Sequence, residues 1–323
     1  MRISPEKLLA EAGITGFRVD ILEKVARLLN LLNSLQSHPF LKDKLALKGG
    51  TALNLFFFDI PRLSVDIDLN YIGTEDRDGI IKVRPQIEQA LRAVFSREDF
   101  VVRQVPEEHA GGKWLLQYQN SSKQTSNLEV DINFMFRTPL WPITKMNSQL
   151  LGIWQATDVP VIDIHEIAAG KLAALLTRKQ ARDLFDCHRL LHHADLNNDR
   201  LRIAFVVYGA INRKDWRTVS PQDVVFDYDE LMRQLVPTLH KDFTKVQESF
   251  AEYGQRLIDE CRQALSVVLP FKDAELDFLN LLLDKGQIQP KLITKDPSVV
   301  KSINKHPMLE WKAINVRRHH NLM

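Results

Sequence analysis

The stretch Leu47-Lys48-Gly49-Gly50-Thr51-Ala52-Leu53-Asn54-Leu55-Phe56-Phe57-Phe58-Asp59-Ile60-Pro61-Arg62-Leu63-Ser64-Val65-Asp66-Ile67-Asp68-Leu69-Asn70-Tyr71 decides the fold. It opens on a short apolar run and a glycine pair. Thr51–Phe58 then reads as a helix, with Leu53, Phe56 and Phe57 offered to a core, and Asp59-Ile60-Pro61 stops it. Ser64–Tyr71 alternates strictly and reads as a strand. On that strand Val65, Ile67 and Leu69 point to the core face, while Asp66 and Asp68, two apart, share the other face. Two carboxylates so close repel unless a cation or a proton lies between them. An all-oxygen donor set suits Mg²⁺ or Mn²⁺.

Downstream, 82–95 reads as a helix, and 100–105, 114–119 and 128–136 read as strands. The polar segment Asn120–Asn127 joins the last two as a hairpin. The third of these strands repeats the acidic pattern. Glu129, Asp131 and Asn133 face one way, and Leu128, Val130, Ile132 and Phe134 the other. If it lies beside the Asp66 strand, Asp131 completes a cluster of three carboxylates, enough for two metals, and can serve as general base. Gly49 and Gly50 let a phosphate approach the backbone. Amides at the following helix start hold the anion, and Thr51 caps the helix or touches a phosphate oxygen. Arg62 and Ser64 add a cation and a hydroxyl just ahead of Asp66.

Upstream, apolar positions from Phe17 to Leu35 mark an amphipathic helix of about five turns. After residue 142 the character changes. Asp158–Ile164 is a short extended segment, and 167–191, 200–208, 229–239, 244–269 and 274–283 all read as helices. The expected division is therefore an α/β domain over 1–155 and a helical domain over 156–323. On one continuous helix, Lys171, Arg178, Arg182 and Arg189 fall within roughly 20° of one line, with Asp186 about 60° away. Such a basic stripe can grip a triphosphate or an RNA backbone; its plain alternative is a surface stripe in ion pairs.

The 323 residues are 45% hydrophobic and 26% charged, enough for a sizeable core. No apolar run reaches the roughly 18 residues of a membrane span, and the N-terminal segment does not read as a signal peptide, so a cytoplasmic location is expected. Cys187 and Cys261 have no CxxC partner and read as structural thiols. The net charge of +2 is uneven, because residues 285–323 hold eight Lys or Arg against two acids. That tail is either a nucleic-acid surface or a solvated terminus. The adjacent pairs His192-His193 and His319-His320 face apart and lack partners for zinc. Neither a GxSxG elbow nor a Walker GxxxxGK[ST] loop is present.

Lys48-Gly49-Gly50-Thr51-Ala52-Leu53, then Arg62-Leu63-Ser64-Val65-Asp66-Ile67-Asp68, resembles the AbiEii/AbiGii toxin family of the DNA polymerase β-like nucleotidyltransferases. Lys171-Leu172-Ala173-Ala174-Leu175 and Arg182-Asp183-Leu184-Phe185-Asp186 are similar to that family's second motif. The resemblance covers about residues 46–191. It implies an α+β fold, a nucleotidyltransferase-like mixed sheet with flanking helices, followed by an all-helical C-terminal domain. It implies a toxin of a bacterial toxin–antitoxin or abortive-infection system, encoded beside an antitoxin that is a transcriptional regulator. Several relatives add nucleotides to the 3′ acceptor end of tRNA and so stop translation. By motif position, Gly50 and Ser64 would bind nucleotide phosphates, Asp66 and Asp68 the metal, and Lys171 the triphosphate, with Lys48, Gly49, Thr51, Arg62, Arg178, Arg182 and Asp186 around the nucleotide. Asp183 or Asp186 is expected at the site, and the motif does not say which. A small-molecule or protein hydroxyl as acceptor, or an inactive nucleotide-binding module, are the alternatives.

Overall fold

The structure, a computed structural model, describes residues 3–320 apart from 75, 107–109 and 246–248. The chain forms two compact units. One comprises Met1–Arg137, Ile143–Ile162 and Val236–Val246, and the other Thr138–Pro142, Asp163–Leu235 and Gln247–Met323. The first unit thus runs past the expected division at 155, through the strand at 159–161, and recovers a segment from within the helical region.

In the first unit, α1 (Pro5–Thr15) and α2 (Val19–Ser37) lead into β1 (Leu45–Lys48), α3 (Gly49–Ala52), β2 (Asp66–Tyr71), α4 (Arg77–Arg97), β3 (Val101–Gln104), β4 (Gly111–Gln119), β5 (Thr125–Asn133), β6 (Thr144–Met146) and β7 (Val159–Val161). The seven strands make one mixed sheet in the order β3-β4-β5-β2-β1-β7-β6. β2 runs parallel to β5 and antiparallel to β1; β4 and β5 form the expected hairpin. Alternation sets the faces. Ile67, Leu69, Val130 and Ile132 are at most 2% exposed, and each contributes roughly 1.5–3 kcal/mol by leaving water. Trp114 of β4 stacks edge-on against Phe95 of α4 at 5.5 Å. Buried Glu23 and Arg27 of α2 pair at 3.1 Å, and Glu23 also accepts from the Ser121 amide at the hairpin tip.

Two local expectations change. The helix expected over 51–58 starts earlier, at Gly49, and widens to a π-helix over Leu53–Phe57; Phe58 rather than Phe57 reaches the core. The strand expected from Ser64 begins at Asp66 because the backbone before it bonds elsewhere. The Leu63 amide donates to the Thr238 carbonyl at 2.8 Å, and Arg62 bridges Leu239.

The second unit carries α5 (Ile164–Leu175), α6 (Ala181–His193), α7 (Asn198–Ile211), α8 (Tyr228–Glu230), α9 (Phe250–Ala264), α10 (Asp273–Lys285), α11 (Pro297–Asn304) and α12 (Pro307–His319). The helix expected over 167–191 is two helices, so the basic residues do not lie on one straight stripe. At the break the Thr177 hydroxyl donates back to the Ala173 carbonyl at 2.6 Å, satisfying a carbonyl that the ended helix leaves open. Lys171 of α5 then reaches Asp183 at 3.1 Å and Asp186 at 2.7 Å on α6, clamping the corner. Within the basic tail, α11 and α12 pack onto the second unit. Asp296 caps α11, accepting from the amides of Ser298 and Val299, and Val299, Ile303, Leu309 and Ala313 are buried. Cys187 and Cys261 are buried free thiols, and burial pushes both up, Cys261 to about 12.

Glu166, on α5, is also buried, accepting from the Leu140 amide at 3.0 Å and from the Tyr208 hydroxyl at 3.0 Å. Burial pushes its carboxyl up to about 7, against those hydrogen bonds. In the unfolded chain the group ionises near its ordinary 4.5. Between these values the folded state holds the extra proton, so stability falls as pH rises through the window, by about 3 kcal/mol in all. Glu166→Gln is expected to flatten that slope, read from denaturant midpoints at a series of pH values. An unchanged slope contradicts the assignment.

Candidate active site

The parallel register of β2 and β5 brings the acids together. Asp66 lies opposite Glu129, and Asp68 opposite Asp131. Side chains in register on adjacent strands share a face, so the four acids form a two-by-two block. Asp66, Asp68 and Asp131 are all half-buried. Register extends the Asp68–Asp131 row in both directions, to Lys48 on β1 and Lys113 on β4. The row therefore reads Lys–Asp–Asp–Lys across four strands. Lys113 bonds Glu129 at 2.8 Å. That bond raises the Lys113 ammonium above its ordinary value, with the charges of Asp66 and Asp131 assisting and partial burial opposing.

The glycine pair sits against this block. Gly49 has φ +71°, the left-handed region, and a Cβ there would run into the Asp68 carboxylate. The bare backbone and the carboxylate are packed against each other, which is what the glycine is for. Gly49→Ala is expected to push Asp68 out of line and add about 1–2 kcal/mol of backbone strain. Activity should drop about 10²-fold, measured as pyrophosphate release beside a thermal melt. Wild-type activity in a folded variant would show that Asp68 tolerates displacement.

The other expected nucleotide contacts are placed differently. Thr51 is fully buried, and its hydroxyl donates to the Asp66 carbonyl at 2.5 Å. It thus ties the helix start to β2 and does not cap the helix. Arg62 is 2% exposed, and its guanidinium donates to the Leu63 carbonyl at 3.1 Å. Ser64 is buried as well. Lys48 remains beside Asp68, its ammonium 5.6 Å from the Phe136 ring.

In the second unit, the Lys171 side chain is 12% exposed, between Asp183 and Asp186. Arg178 pairs with Asp183 at 2.7 Å from an exposed turn, and Arg182 is half-buried in the first turn of α6. Burial raises the Asp183 carboxyl, but Lys171 and Arg178 outweigh it, and it lies below the usual range. Both acids of the second motif therefore meet the same lysine.

Lys113 escaped the sequence reading because the strand was expected from residue 114, whereas β4 starts at Gly111. Gly111 and Gly112 resemble a turn and have positive φ, yet they pair with Asn133 and Ile132 as the start of β4. Gly111 presses on the Ile132 carbonyl so closely that no side chain fits.

A family model described as the nucleotidyl transferase AbiEii toxin of type IV toxin–antitoxin systems matches residues 30–266. The chain belongs to the AbiEii toxin family. It is a nucleotidyltransferase toxin, and the matched residues contain every acid of the β2–β5 block as well as Lys171, Asp183 and Asp186. Among solved structures, this AbiEii protein is similar to MenT4, a nucleotidyltransferase toxin from Mycobacterium tuberculosis H37Rv, with a TM-score of 0.57 and 16% identity, over 92% of this chain and 98% of that one. At that identity the likeness is one of fold: a mixed sheet with flanking helices and a helical C-terminal region. No curated protein matches the sequence. Among the described residues, no helix is long and apolar enough to cross a membrane.

Proposed function

We propose that this AbiEii protein transfers a nucleotide from an NTP to the 3′-hydroxyl of a tRNA in the cytoplasm, blocking translation, and that Asp66, Asp68 and Asp131 hold Mg²⁺ or Mn²⁺. The observation that carries the reading is the register placing Asp68 opposite Asp131, with Asp66 one step along the same face. The donor chemistry fits a hard cation. Four carboxylates share the block, and two ammonium groups, Lys48 and Lys113, flank it, leaving an excess charge near that of one divalent ion. When bound, such a cation offsets triphosphate charge and makes a bound hydroxyl more acidic.

The chain's own groups do the rest. Gly49 and Gly50 offer backbone amides to the triphosphate, and Lys48 adds a positive charge there. Asp131 accepts the proton of the attacking hydroxyl. The acceptor oxygen bonds to the α-phosphorus, the bond from that phosphorus to the β-phosphate bridge breaks, and pyrophosphate departs with the electron pair. Lys171, Arg178, Arg182 and Asp186 enter the proposal through the family's second motif alone. The partner antitoxin is proposed to be a transcriptional regulator encoded in the same operon.

Purified protein incubated with each labelled NTP and with total tRNA, cellular small molecules or total protein tests the acceptor, followed by sequencing of tRNA 3′ ends. Label at tRNA 3′ ends supports the proposal. Label on a metabolite or a protein moves the reaction to that acceptor, and NTP binding without pyrophosphate release rejects transfer.

A further inference from the structure

The tandem His192-His193 hides a different spacing. His188 and His192 are four apart on α6, so their rings share one helix face, stacked at 4.4 Å between centroids. Glu260 of α9, in the same unit, meets them there. His188 Nε2 and Glu260 Oε2 are 2.5 Å apart. One donor atom from each of His188, His192 and Glu260 lies within 4.8 Å of the others.

We propose that His188, His192 and Glu260 form a zinc site that pins α9 to α6. Two imidazoles and a carboxylate are a donor set suited to Zn²⁺, unlike the all-oxygen block on β2 and β5. His192 is already oriented for this role. Its Nδ1 lies 2.9 Å from the His188 carbonyl, so Nδ1 carries the proton and Nε2 keeps its lone pair for a metal. His188 is buried, whereas His192 is exposed and Glu260 partly so. The site thus has a fixed inner wall and an open side for a fourth ligand, water or another. Zinc takes the place of the proton shared by His188 and Glu260, and that proton leaves to solvent. The Arg256 guanidinium, 3.5 Å from Glu260 and 5.2 Å from the centre of the Tyr253 ring, must turn away from the carboxylate when zinc binds. His193, with its ring 6.2 Å from that of His188, stands at the margin.

The test uses full-length protein stripped with a chelator and titrated with Zn²⁺ against a chromophoric competitor, with Co²⁺ as a visible reporter of tetrahedral ligation. The variants are His192→Ala and Glu260→Gln, and the control is the double variant Asp66→Ala/Asp68→Ala. One zinc should bind to both the wild type and the control, raising the thermal midpoint of each. Affinity should fall at least tenfold in His192→Ala and in Glu260→Gln, with the midpoint no longer responding to zinc. Equal zinc affinity in His192→Ala, or loss of all zinc binding in the Asp66/Asp68 control, overturns the proposal.

Discussion

Replacing Asp68 with alanine is expected to lower nucleotidyl transfer by about three orders of magnitude, the several kcal/mol of transition-state stabilisation that a bound cation supplies. Asp68 stands at the centre of the site. It is opposite Asp131 on one side and Lys48 on the other, and its carboxylate rests on Gly49. The fold should survive, because the side chain is half-exposed and its removal relieves repulsion within a block of four acids. The thermal midpoint should match the wild type or rise slightly. Asp66→Ala should behave alike and release growth inhibition in cells. Transfer within tenfold of wild type in a folded Asp68→Ala protein would remove the β2–β5 block from the chemistry.

The second large effect lies in the helical unit and concerns stability. Lys171→Met strips a close cation from Asp186, which is fully buried, and from Asp183, at 1% exposure. Removing one partner of a buried pair leaves an uncompensated charge and costs about 3–5 kcal/mol, a drop in melting temperature on the order of 10 °C. Arg178 still pairs with Asp183, so the loss at Asp183 is partial. Adding Asp186→Leu to Lys171→Met should restore most of the stability, since an apolar replacement of a buried pair is often neutral. The rescued double variant then separates two roles for Lys171. Full activity would make the pair a fold element alone, while stability without activity would support a place for the Lys171–Asp186 pair, not for the lysine by itself, in the reaction. A melt of Lys171→Met indistinguishable from wild type would contradict the clamp.

The legibility of these features follows the range of the interactions behind them. Alternation on 66–71 and 128–133 assigned Asp66, Asp68 and Asp131 to their faces because a strand's period is local. That β5 lies beside β2, in parallel and in that register, depends on the order of all seven strands. The break after Leu175 carries no glycine or proline; Lys171 reaching across to Asp183 and Asp186 stabilises a corner that a helical period runs straight through. Arg62 shows the same limit. Its sequence neighbours advertise a phosphate-binding cation, and only the return of Thr238 and Leu239 to that stretch reveals why it is buried. The pairing of His188 with Glu260 spans 72 residues, beyond any local pattern.

The return of Val236–Val246 to the first unit bears on how such a gene can be broken. The chain passes between units five times, after residues 137, 142, 162, 235 and 246. A frameshift or stop codon anywhere before codon 236 therefore deletes helices of the second unit and also unzips the backbone that holds Arg62 and Leu63, just ahead of the acidic strand. Cells escaping this toxin should consequently collect truncating lesions at any point ahead of codon 236, each of which removes Thr238 and Leu239 from beside the acidic strand.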